Sequence, residues 1–359
     1  MKYAKGSQRI TWQHIALTTL CIMLALVLFV MIFATAYVHR LLNMVIDDDG
    51  YLNATMSSQD LATFGNDNDG STPITGPSVG HEDVTQATLP SKPVEQLKTE
   101  GVINIMLIGE DRRPYESKRQ RSDSMILCSI NTKKNTITLI SFLRDTYISN
   151  IPGYWPEKLN AAYALGGVNT LNQTLAAYFG IHVDGNVVVD FDGFTKIIDM
   201  LGGVDIELTQ KEANHLNNPA YAGTYGTGLK TVKAGMNHLD VKTALAYSRI
   251  RKIDMDAVRT QRQRKVITAL INAYRSKSMG EMVTLADDIL STGFVRTNMS
   301  ADEILSYVRS LFPMLSTATI NSQQIPASGT YQNMNVGNVT DCKVADLEAN
   351  RQILKNILQ

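Results

Sequence analysis

Residues 15–38, IALTTLCIMLALVLFVMIFATAYV, run for 24 residues without a charge. At ~1.5 Å per helical residue the run is ~36 Å long, enough to cross a hydrocarbon core with some tilt. It exceeds the ~7–15 apolar residues of a secretory leader, and no clean A-x-A cleavage site follows it. Lys2, Lys5 and Arg9 precede it, and only His39 and Arg40 follow before an acidic stretch. The positive-inside rule then predicts a cytoplasmic N-terminus over 1–14, one transmembrane helix over 15–38 and everything after it outside the cell.

The formal net charge is zero, with 34 residues of each sign, but it is a cancellation. Residues 43–100 carry ten acids against Lys92 and Lys98, which leaves 28 basic and 24 acidic residues in 101–359. Residues 39–100 are rich in Asp, Asn, Ser, Thr, Gly and Pro and lack periodicity, which predicts a flexible, acidic extracellular tether. Asp47–Asp49 lacks the glycine and glutamate of an EF-hand and reads as solvated charge. Cys21, Cys128 and Cys342 form neither a metal-binding spacing nor a disulfide framework. A mildly basic body with clustered arginines suits an anionic ligand better than a nucleic acid spread over the whole surface.

From residue 103 the texture changes. INIMLIG, SMILCSI and TITLISF are apolar runs of strand length, the last two separated by the polar turn NTKKNT. KLNAAYALGGVNTLNQTLAAYFG predicts two helical patches around Gly166-Gly167, with Gly180 as C-cap. NVVVDF and VDIEL read as strands, and DGFTKIIDMLGG as a short helix closed by Gly202-Gly203. SADEILSYVRSLF predicts a helix with Ser300 at the N-cap and Glu303 at N3. ATINSQQIP predicts a strand and VADLEANRQILKNIL a final helix. Strands alternating with helices argue an α/β layered sheet over 101–359. No G-x-G-x-x-G, P-loop or G-x-S-x-G is present, and none of the six histidines lies beside a candidate nucleophile.

The chemistry-bearing feature is AYSRIRKIDMDAVRTQRQRK, which places Arg249, Arg251, Arg259, Arg262 and Arg264 just before the helix pattern VITALINAY. With 256–275 taken as a helix, Val266, Ile267, Ala269, Leu270, Ile271 and Ala273 define an apolar face. Arg259 projects near its middle and Arg262 at its edge, while Lys265, Thr268, Asn272 and Arg275 point the other way. An arginine on the core side is costly unless an anion meets it. A buried ion pair is one solution. A phosphate or pyrophosphate gripped by guanidinium forks is the other, and four convergent cations favour it. A second cluster, EDRRPYESKRQRSDS, follows the first strand, where α/β sheets place their sites. There Asp111 and Asp123 are candidate ligands for a hard cation, with Arg113 and Arg121 beside them. Arg144-Asp145, at the end of a later strand, adds a third group.

INIMLIGEDRR, RSDSMIL, SFLRDTYISNIPG, KLNAAYALGG, DFDGFTKIIDMLGGVDIEL and HLDVKTALAYSRIRKIDMDAVRTQRQRKVI together resemble the LytR-CpsA-Psr (LCP) family. The likeness runs in order over roughly 103–272, and the tail to 359 is similar to the rest of that domain. It implies a three-layer α-β-α catalytic domain behind a membrane anchor, on the outer face of a Gram-positive type envelope, with an apolar cavity for a polyprenyl tail. It implies transfer of a glycopolymer, such as teichoic acid or capsule, from an undecaprenyl-pyrophosphate carrier to the muramic acid C6 hydroxyl of peptidoglycan, releasing undecaprenyl phosphate. Asp111 and Asp123 become ligands of Mg²⁺ (or Mn²⁺). Arg113, Arg121, Arg144, Arg249, Arg251, Arg259 and Arg262 become pyrophosphate-facing, joined by Lys158 and Gln263. The residues expected at the reacting centre are Asp111, Arg121, Arg144, Asp145 and Arg259, with Asp111 or Asp145 taking the hydroxyl proton, unless Asp145 serves to hold Arg144. Leu143 stands where family members often carry proline. A lipid-pyrophosphate hydrolase and a non-catalytic polyprenyl-phosphate-binding regulator are the alternatives. No nucleic-acid partner is expected.

Overall fold

A computed structural model describes residues 37–40, 43, 50–57, 61, 78–79, 96–110, 119–221, 228–250, 253, 256–291, 293–314 and 316–359. The first half of the domain, in chain order, is β1 (Val102–Glu110), β2 (Ser122–Asn131), β3 (Thr136–Phe142), α1 (Leu159–Phe179), β4 (Gly185–Val189), α2 (Phe191–Leu201), β5 (Val204–Leu208), α3 (Gln210–Leu216), β6 (Gly235–Leu239) and α4 (Val241–Ser248). The second half is α5 (Asp256–Arg275), α6 (Met279–Ser291), β7 (Val295–Thr297), α7 (Ala301–Leu311), β8 (Thr319–Ile325), β9 (Tyr331–Val336), β10 (Val339–Ala345) and α8 (Leu347–Leu358).

The central six-stranded sheet has the order β7-β4-β1-β2-β3-β8. It is mixed: β1, β2 and β3 are antiparallel neighbours, whereas β4 joins β1 and β8 joins β3 in parallel. Both faces are covered, so the strands read as continuous apolar runs rather than strict alternations. Met106, Ile108, Met125, Leu127, Ile140 and Phe142 pack on one face beneath α1 and α8. Ile126, Ile130, Ile137 and Leu139 fill the other, where Ile267 of α5 meets them. This is the expected three-layer arrangement. A second core lies beside it, with β5 and β6 paired antiparallel against α3, α4 and the Val266 and Ala269 side of α5. VDIEL is thus a strand, but one outside the main sheet.

Local signals account for the helix boundaries. Gly180 caps α1 at φ 70°, its N–H bonding the Ala176 carbonyl. Ser300 and Glu303 close a reciprocal capping box, with Ser300 N donating to Glu303 Oε2 at 2.8 Å and Glu303 N to Ser300 Oγ at 3.3 Å. α1 is broken at Gly166 and Gly167, the latter at φ 75° and ψ −162°, a region open essentially to glycine. A Cβ on Gly167 would lie 2.0 Å from the Leu52 carbonyl oxygen. Gly167→Ala is therefore expected to cost at least ~2 kcal/mol. Urea unfolding checks this, and a wild-type midpoint would rule it out.

Residues 15–36, which hold most of the expected membrane helix, lie outside the described residues. Among the described residues no helix is long and apolar enough to cross a membrane. The span expected to be a flexible tether departs from that expectation in the parts described. Tyr51–Asn53 form a 3-10 turn, Leu52 is 0% exposed in the main core, Ser78–Val79 pair in parallel with β9, and Leu97 bridges Ile181. Burying Leu52 contributes about 2 kcal/mol, less than the ~1–2 kcal/mol per residue that ordering the whole segment costs, so further bonds must hold it. Met56 N supplies such a bond to Leu165 O at 2.9 Å.

Candidate functional site

Register brings four strand ends to one edge of the sheet. Gly109 pairs with Ser124, Ile126 with Ser141, and Phe142 with Ile325. The ends of β1, β3 and β8 and the start of β2 therefore coincide, and β4, parallel to β1, ends there too. Arg121 and Asp123 enter β2 at this edge, and Arg144-Asp145 leave β3 beside them. Arg144 Nη1 donates to Asp123 Oδ1 at 2.7 Å, and its Nε lies 3.5 Å from Asp145 Oδ1. Lys158, at the start of α1, and Lys343, on β10, each place Nζ 3.9 Å from the Asp145 carboxylate. Asn160 N to Arg144 O (3.2 Å) and Lys343 N to Asp145 O (2.8 Å) lock the backbones together.

These charges are costly to bury. The Arg144 side chain is 4% exposed, Asp145 10% and Lys343 8%, while Asp123 is 22% exposed. Among the described residues, this edge gathers Arg144, Lys158, Lys343 and the half-buried Arg121 with the carboxylates of Asp123, Asp145 and Glu110. Charges so little solvated interact strongly with one another and with an ionic ligand.

α5 packs antiparallel along β8. Arg275 Nη1 donates to Ala318 O just before β8, and Arg264 Nε to Ser322 Oγ within it. Running back along the helix therefore runs forward along β8. At ~1.5 Å per residue, Arg259 stands ~7 Å beyond Arg264, toward the end of β8. It is 2% exposed. Gln263 is half-buried one turn on. Burial lowers the Arg264 pKa to about 10. Arg249, exposed at the end of α4, sits over the Phe191 ring at 5.2 Å, where α2 begins just past β4.

Arg262 takes the other course. Its Nε donates to Glu212 Oε1 at 2.7 Å and its Nη1 to Ile250 O at 3.1 Å, with both side chains buried. Here the buried ion pair is present, and Arg262 faces the second core. Asp111, Arg113 and Arg251 lie outside the described residues.

Three groups were missed from sequence. Lys343 sits in a strand with no charge pattern around it, Glu212 is fifty positions from its partner, and Glu110 closes β1. Glu212 is the N3 member of a capping box with Thr209, and that signature, T-x-x-E, was readable. Burial pushes the Cys128 thiol up to about 12 and Cys342 to about 11, so neither serves as a nucleophile at neutral pH.

The fold and this edge define an α/β domain with buried charged side chains gathered at one edge of its sheet, where most of its strands end. The chain belongs to the LytR_cpsA_psr family, which residues 75–356 match. It is 32% identical over 269 residues to a polyisoprenyl-teichoic acid–peptidoglycan teichoic acid transferase, TagU, of Oceanobacillus iheyensis, covering 72% of this chain and 77% of that one. TagT of Bacillus subtilis, named for the same activity, is 30% identical over 67% of this chain and 74% of its own. The regulatory protein MsrR of Staphylococcus aureus is 28% identical over 73% and 76%. Among solved structures, TagT bound to LIIa-WTA superposes with a TM-score of 0.57 at 26% identity, covering 75% of this chain and 96% of that one.

Proposed function

We propose that this chain transfers a glycopolymer from an undecaprenyl-pyrophosphate carrier to peptidoglycan, at a muramic acid C6 hydroxyl, on the outer face of a single-pass membrane anchor. The observation that carries the reading is the cluster of little-solvated charges at one sheet edge, where Arg144, Asp123, Asp145 and Lys158 meet. The relatives named as transferases support it. The acceptor oxygen bonds to the phosphorus that bears the glycopolymer, and the bridging P–O bond to the prenyl phosphate breaks. Undecaprenyl phosphate leaves with that electron pair. Arg121, Arg144 and Arg259, with Lys158, would receive the charge spread over the phosphate oxygens. Arg249 lies where it can reach the same diphosphate from solvent. Asp111 is the remaining candidate for accepting the hydroxyl proton, because Asp145 stands among three cations and serves better to hold them.

The residues fit a divalent cation of one kind. Among the described residues no group of three or more His, Cys, Asp and Glu could cage a metal. One or two carboxylates completed by phosphate oxygens is the donor set Mg²⁺ takes. Asp123 and Asp111 would hold Mg²⁺ (or Mn²⁺), which would neutralise developing charge on the diphosphate.

The test is the full chain in vesicles with lipid-linked glycan, Mg²⁺ and peptidoglycan. Release of undecaprenyl phosphate only with acceptor is expected. Release without acceptor would instead make it a hydrolase, and binding without release a regulator. Asp123→Ala should lower turnover by ~10²–10³-fold with unchanged circular dichroism. Normal turnover would remove Asp123 from the site.

A further inference from the structure

We infer that residues 50–57 form a strap belonging to the active site, and that Tyr51 is a positioning residue for the end of β1 and the facing start of β2. The catalytic consequence rests on the proposed function. The structural part stands alone.

The strap is held by more than Leu52. Arg119, 8% exposed, donates Nε to Tyr163 O at 2.7 Å, Nη1 to Tyr51 O at 2.8 Å and Nη2 to Ala164 O at 3.1 Å, and also bonds Ala54 O. One guanidinium thus ties two strap carbonyls to two carbonyls of α1 at its glycine break. Asn169 N adds a bond to Asn53 Oδ1 at 3.3 Å, and Arg296 covers the Tyr51 ring at 5.0 Å. Gly167 is the position that lets the Leu52 carbonyl approach α1 so closely.

Tyr51 then reaches the site. Glu110, 3% exposed, is the last residue of β1, and its Oε1 accepts both the Tyr51 hydroxyl at 2.7 Å and the Gln120 amide at 2.8 Å. Gln120 immediately precedes Arg121 and β2. One buried carboxylate therefore bridges the end of β1 to the residue before Arg121, and the phenol sets the orientation of that carboxylate. The ladder is irregular here, between Gly109 and Glu110, so strand pairing alone does not define where Arg121 and Asp123 start. A buried carboxylate needs its bonds filled, and Tyr51 fills one from a segment close to the end of the apolar run. Misplacement of reacting groups by ~1 Å can cost ~10²-fold in rate.

Tyr51→Phe in the full-length chain keeps the ring and removes the hydroxyl. In vesicles with lipid-linked glycan and acceptor, kcat is expected to fall about tenfold or more while KM for the lipid-linked donor stays within about twofold, as for a group that aligns rather than binds. Glu110→Gln should give a similar loss, and the double variant no more than the larger single one, because both act through one contact. By hydrogen exchange, the Met56 amide should remain protected in Tyr51→Phe while the Gln120 amide exchanges at least tenfold faster. A wild-type kcat, additive losses, or an unprotected Met56 amide in the parent chain would overturn the inference. If the parent chain transfers nothing, the proposed function fails by itself, and the Gln120 exchange rate decides the strap: faster supports it, unchanged refutes it.

Discussion

Arg259→Ala is expected to lower turnover by ~10³-fold or more, about 4 kcal/mol of transition-state stabilisation, without unfolding the domain. Arg259 is 2% exposed, and in the proposed function it faces the edge that holds Arg144 and Asp123. A guanidinium so placed offers a rigid fork to two oxygens at once, in surroundings that screen it little. Alanine is a good helix former, so α5 keeps its backbone. Arg259→Lys separates charge from geometry. It restores the positive charge as a single point and should recover only part of the rate. Release of undecaprenyl phosphate, with circular dichroism on each variant, measures this. A folded Arg259→Ala protein with normal turnover would take Arg259 out of the chemistry, and a full rescue by lysine would mean the fork is not used.

Much of this edge was legible because its signals are local. The runs INIMLIG and TITLISF became β1 and β3, Gly180 and Ser300 capped the helices they were expected to cap, and the α5 wheel placed Arg259 on a buried face. Arg264 is buried and bonds Ser322. Its partner lies on β8, which periodicity within α5 cannot announce. The same limit hid the Glu212–Arg262 pair, the Lys343–Asp145 contact and the docking of Tyr51 on Glu110, all set by tertiary register. β6 was missed for another reason. GMNHL is short and polar on one side, and it is a strand because β5 offers it a ladder. The strap shows how composition misleads: Tyr51 and Leu52 are two residues in an otherwise solvated stretch, too few to register as a pattern, yet one is wholly buried.

Glu212→Ala is expected to destabilise the domain by about 3–5 kcal/mol, the cost of breaking a buried ion pair on one side. Glu212 Oε1 accepts from Arg262 Nε at 2.7 Å, and its Oε2 accepts from Thr209 N at 2.9 Å, so the change also removes a helix cap. Arg262, which also donates Nη1 to the Ile250 carbonyl, would lose the carboxylate that meets its Nε. Replacing both partners, as Glu212→Ala with Arg262→Leu, should recover most of the loss, since an apolar pair costs no desolvation. The pH dependence has a definite sign. Burial alone would push the Glu212 carboxyl up, but the bonds from Thr209 and the Arg262 guanidinium outweigh it and hold the carboxyl below its ordinary 4.5. The unfolded chain therefore binds this proton first. The stabilisation is whole above pH ~4.5 and is lost as pH falls through the lower folded value. Urea unfolding at pH 7 and pH 4 should show Glu212→Gln costing stability at the higher pH and less at the lower. Equal stability of Glu212→Ala and the parent chain at pH 7 would mean that the pair is no more than a neutral substitute for apolar packing and that Arg262 finds another anion when Glu212 is gone.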